Sequence, residues 1–81
     1  MEMENNEKNL ILFGLRVKHL RTVKEDISLR ELAKRCDVEH SKIGKIEKGQ
    51  IKIQLPTVFE LAKGLSVHPR ELFDFEFNIP K

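Results

Sequence analysis

The chain contains one cysteine, no tryptophan, no tyrosine and only three prolines in 81 residues. A lone Cys36 cannot form an internal disulfide, and a chain of this length has room for one modest apolar core. There is no apolar run of spanning length and no charged-then-apolar leader, so neither membrane insertion nor secretion is supported and a cytoplasmic protein is expected. His19, His40 and His68 lack the spacing of metal ligands, and no glycine-rich phosphate loop follows a strand. These absences argue against a metal centre, a bound cofactor and an enzymatic site. Cys36 reads as a small packing residue near a helix end.

Charge is plentiful but uneven. The formal net charge is +2, yet residues 28–52 carry seven basic against four acidic side chains, whereas residues 53–81 carry three basic against four acidic. A basic middle is where a phosphate backbone would find its electrostatic footprint, although an ordinary solvated surface can carry the same surplus.

Residues 1–8 are polar, with nothing periodic to bury, and read as a flexible leader. Leu10, Phe13, Val17 and Leu20 then recur at three- and four-residue steps, which predicts an amphipathic first helix to about Lys24. Ser28 with Glu31 three residues on is a capping box that opens a second helix ending near Cys36. Asp37 is expected to take the left-handed conformation that a tight inter-helix turn often needs. A third helix runs from Glu39 or His40 to Lys48 and stops at Gly49. Residues 50–54 alternate in polarity without a partner strand and read as a loop. Pro56 suits the first turn of a fourth helix striped by Val58, Leu61, Ala62 and Leu65, and Pro69 opens a short fifth through Leu72 and Phe73. Beyond it Phe73, Phe75, Phe77 and Ile79 alternate with polar residues, placing four apolar side chains on one face of an extended tail.

The third helix is unusual for a merely packed one. Val38, Ile43 and Ile46 supply its buried side, but His40, Ser41, Gly44 and Lys45 leave its other face short, polar or bare. Gly44 lies mid-helix, where glycine costs about 1 kcal/mol relative to alanine.

The runs SLRELAKRCDVEHSKIGKIEKG and LPTVFELAKGLSVHPRELF resemble the helix-turn-helix repressors of the bacterial and phage Cro/cI type, the XRE family. The resemblance spans the first to the fifth helix and is most specific in I-x-K-I-E-K-G and L-A-K-G-L-S-V-x-x-x-E-L-F. It implies an all-α, five-helix, lambda-repressor-like DNA-binding domain over residues 9–74, with residues 75–81 as a short extended tail able to serve as a dimerisation strand. The implied function is sequence-specific binding of double-stranded DNA by a small transcriptional repressor, without a cofactor, as a homodimer on a near-palindromic operator.

In that reading His40, Ser41, Gly44 and Lys45 occupy the positions from which the family reads base edges in the major groove. Lys45 can donate to guanine O6 and N7, His40 and Ser41 can donate or accept, and Gly44 removes bulk. Ser28, Arg30, Lys42, Lys48 and Lys52 would hold phosphates. Arg21 and Glu47 match positions that form an internal ion pair in the family. Phe73, Phe75, Phe77 and Ile79 would form the dimer interface by pairing two tails edge to edge, or would instead fold back over the first and fifth helices.

The chain departs from the family pattern in five places. Leu29 stands where Gln is usual, Asp37 where the turn has Gly, and Glu39 where Ser or Thr caps the third helix. The link from Lys24 to Ile27 is one residue longer, and Ile53 replaces a common Pro. Leu29, Asp37 and Glu39 favour a rival reading, a protein-interaction module on the same scaffold, such as the partner-binding part of a toxin–antitoxin pair. The size fits a phage-type repressor, a controller of a restriction-modification operon, or an antitoxin equally.

Overall fold

The computed structural model describes residues 5–77, and Ile79 of the expected tail face lies outside them. Helix α1 (Asn5–His19) begins before its apolar stripe, so Asn5 to Lys8 form a helical first turn rather than part of a leader. An exposed first turn needs no apolar face, and Glu7 faces the positive end of the helix dipole.

Without a break, α1 passes into a π-helical turn, Leu20–Lys24. The Glu25 N–H donates to the Leu20 carbonyl and the Ile27 N–H to the Arg21 carbonyl, both at 3.0 Å, and Asp26 takes a left-handed φ of 52°. Ser28 then caps α2 (Leu29–Lys34), its Oγ accepting the Glu31 N–H at 3.0 Å. The carboxylate of Glu31 faces Arg35 Nε at 3.5 Å.

The turn into α3 (His40–Glu47) corrects one expectation. Among the described residues only Asp26, Gly49 and Ser66 have positive φ, so Asp37 is not left-handed. The change of direction is spread over residues 35–39, and the Asp37 N–H is satisfied from outside the turn, by Glu60 Oε1 at 2.8 Å. The Asp37 N–H thus finds its acceptor across the fold rather than within the turn.

Residues 50–54 form the expected loop into α4 (Leu55–Leu65), which has Pro56 in its first turn and ends on left-handed Ser66. The fifth helix is a 3₁₀ helix, Pro69–Phe73, so the described residues hold four α-helices and one 3₁₀ helix.

All of these elements meet in one core. Val17, Leu32, Ile43, Ile46, Leu61, Leu65 and Leu72 are fully buried. The helices α1 and α3 cross closely because residue 14 is glycine: a Cβ there would run into the carbonyl oxygens of Ile46 and Glu47. Gly49, at φ 69°, ends α3 against Ile11.

In the tail the aromatic rings do share a face, with centroids 4.4 Å apart for Phe75 and Phe77 and 6.2 Å for Phe73 and Phe77. The segment is not straight, however. Phe73 still belongs to the 3₁₀ helix, and the Phe75 N–H turns back to the Phe73 carbonyl at 2.9 Å. Phe73 lies 5.4 Å from Phe13 of α1 and Phe75 packs against the core, so as far as Phe77 the tail lies on its own chain. Apolar rings gather on the nearest apolar surface, here the outer edge of α1.

Candidate nucleic-acid interface

The helix α3 is held from behind and free in front. Ile43 and Ile46 point into the core, while His40, Ser41 and Lys45 are exposed and Gly44 is half-buried between them. The exposed side chains of Arg30, His40, Ser41, Lys42, Lys45, Lys48 and Lys52 make no hydrogen bond or ion pair among the described residues. Other basic groups are committed: Arg35 to Glu25 at 2.9 Å, Lys24 to Glu25 at 3.0 Å and Lys63 to Glu60 at 3.9 Å. Cations without internal partners retain their full charge for an external anion.

Gly44 is open. A Cβ built there meets only Leu29 Cδ1, at 3.8 Å, which is ordinary van der Waals contact. The contrast with Gly14 and Gly64 is sharp, since a Cβ at Gly64 would stand 2.7 Å from Leu32 Cδ1. The chain's own packing therefore does not require glycine at position 44. Leu29 is half-buried, resting on the core with part of its side chain beside this bare stretch of α3.

The pair Arg21 and Glu47 ties α3 to the π-helical turn that ends the first helix. Arg21 Nε and Nη2 donate to Glu47 Oε2 and Oε1 at 2.7 and 2.9 Å, and Nη1 donates to the Ile27 carbonyl at 2.9 Å. Both side chains are nearly buried, at 11% and 6% exposure, so the pair is bidentate and shielded from solvent. The hydrogen bond to Glu47 raises the Arg21 pKa above its ordinary value against the opposing effect of burial.

Two further contacts escape sequence reasoning. The Glu60–Asp37 hydrogen bond joins residues 23 apart and ties α4 to the turn before α3. Arg16 Nε donates to the Glu71 carbonyl at 2.8 Å and pins the 3₁₀ helix to α1. Neither pair carries a local spacing signal. Glu39, the N-cap residue of α3, makes no side-chain cap, and Ser28 is first a cap of α2. Cys36 donates to the Leu32 carbonyl at 3.3 Å, and burial pushes its thiol pKa up, as suits a packing residue.

Helix pair, turn and outward polar face together form a helix-turn-helix. A helix-turn-helix family model matches residues 17–72. Control protein C.BamHI from Bacillus amyloliquefaciens is 36% identical over 73 residues, covering 90% of this chain and 88% of that protein. The restriction-modification controller protein C.AhdI from Aeromonas hydrophila has a similar crystal structure, with a TM-score of 0.81 and 34% identity over 86% of this chain and all of that one. The clp gene regulator ClgR from C. glutamicum shares the fold at a TM-score of 0.72 and 18% identity, over 89% of this chain and 87% of that one. The family is one of regulators rather than enzymes. This chain belongs to the helix-turn-helix family and is a DNA-binding transcriptional regulator.

Proposed function

We propose that the protein controls a restriction-modification operon by binding a near-palindromic operator as a homodimer in the cytoplasm. The observation that carries this reading is the outward face of α3, polar, unpaired and interrupted by a glycine that the fold does not need. His40, Ser41, Gly44 and Lys45 face base edges in it, and Ser28, Arg30, Lys42, Lys48 and Lys52 face phosphates. The likeness to two controller proteins favours this role over that of a phage repressor, and gives no support to a toxin as partner.

The homodimer is supported by apolar side chains with nothing over them. Leu55 and Phe59 on α4 are 66% and 55% exposed, and Phe73 and Phe77 remain 39% and 45% exposed after the tail has folded onto α1. Together with Phe75 and Ile79 they would be covered by a second copy, which must hold its α3 about 34–36 Å from the first, one turn of DNA.

Selection of binding sites from random duplexes tests the proposal. An enriched motif with two related half-sites is expected. Absence of enrichment even at low salt would favour the interaction module suggested by Leu29, Asp37 and Glu39.

A further inference from the structure

We propose that the gap between Gly44 and the Leu29 side chain seats the C5 methyl group of a thymine, making Leu29 and Gly44 a specificity pair within the DNA-binding face. The inference rests on the reading that α3 enters the major groove. Within that groove only thymine among the four bases presents a methyl group.

At Gly44 the helix shows a bare Cα on its outward side, and the one heavy atom that a Cβ would meet is a leucine methyl carbon, Leu29 Cδ1, at 3.8 Å. The place that a side chain at residue 44 would fill is therefore empty and bordered by carbon, and a methyl carbon approaching from outside can lie against the bare Cα and the leucine tip at ordinary contact distance. The residues around the gap on the same helix, His40, Ser41 and Lys45, are exposed and polar. They suit hydrogen-bonding base edges beside the methyl, and the one side chain bordering the gap is apolar. Leu29 gains a role on these terms: where the family places a polar side chain, an apolar tip stands beside a helix residue whose missing side chain nothing in the interior explains.

The test uses the best duplex from random selection, with each thymine replaced in turn by deoxyuridine, which removes only the methyl. With the unaltered protein, one thymine in each half-site should lose affinity about fourfold on replacement, the factor expected for uncovering one methyl-sized group. Gly44→Ala fills the gap without disturbing the interior. It should weaken binding to the thymine duplex and abolish the difference between thymine and uracil at that position, and Leu29→Gln should abolish the same difference. Tolerance of uracil at every position, or a thymine preference that survives both substitutions, would overturn the assignment while leaving DNA binding intact. A library yielding no enriched duplex would remove both the assignment and the reading beneath it.

Discussion

The Glu60 carboxylate accepts the Asp37 backbone N–H at 2.8 Å, so that α4 holds the turn from which α3 departs. The bond satisfies the Asp37 N–H across 23 residues of sequence. Glu60→Ala should lower stability by about 1 kcal/mol in urea denaturation, with Glu60→Gln recovering most of it because an amide oxygen also accepts. An equal loss for both variants would mean that the charge, rather than the acceptor, matters.

Arg21 and Glu47 should prove far more costly to separate. Removing either side chain alone leaves a charge in a nearly dry setting and is expected to cost about 3 kcal/mol, whereas removing both should cost less than the sum of the two single changes. A double-mutant cycle by denaturation measures the coupling; additive losses would contradict the pairing.

The pH response near Glu25 has a definite sign. Hydrogen bonds from Lys24 and then Arg35, with the charges of both, hold its carboxylate pKa below the ordinary range. Its stabilising contribution is therefore complete above that range and is lost as the pH falls through the lowered folded value. An NMR titration should find Glu25 protonating at lower pH than an unpaired glutamate, and Arg35→Ala should shift its midpoint upward.

Much of the fold was legible because its signals are local. The stripe of Leu10, Phe13, Val17 and Leu20, the Ser28 cap and the Pro56 helix start each depend on neighbours a few residues away. The form of the link before Ile27, a π-helical turn with left-handed Asp26, was not legible. What stayed hidden depends on distant partners. Asp37 could be assigned a left-handed turn only while Glu60 was unseen, and the tail's alternation could not disclose that Phe13 would draw the rings back onto α1. The outward face of α3 was readable from composition, but only the structure shows that position 44 is open toward Leu29.

That openness has a consequence for stability. Gly44→Ala should raise the stability of the free protein by up to about 1 kcal/mol, since a helix-interior glycine is replaced without a clash. A loss of stability would show that the interior does constrain this position.

In the proposed dimer, shortening the tail should separate assembly from folding. A chain ending at Asp74 should be monomeric in sedimentation, keep its helical circular dichroism, and lose more affinity for a two-half-site operator than for a single half-site. A truncated chain that still dimerises would move the interface to Leu55 and Phe59 of α4.

The most direct measurement is an anisotropy titration of the selected duplex against a scrambled duplex of equal length and composition, repeated across salt concentrations with the unaltered protein, Lys45→Ala and Lys52→Ala. The selected duplex should bind at least about a thousandfold more tightly than the scrambled one at physiological salt. Lys45→Ala should cost about 1–3 kcal/mol on the selected duplex alone, and Lys52→Ala should weaken both duplexes alike and reduce the salt slope by about one. Equal affinity for the two duplexes, falling together with salt and indifferent to Lys45, would contradict base reading by α3 and leave only a basic surface.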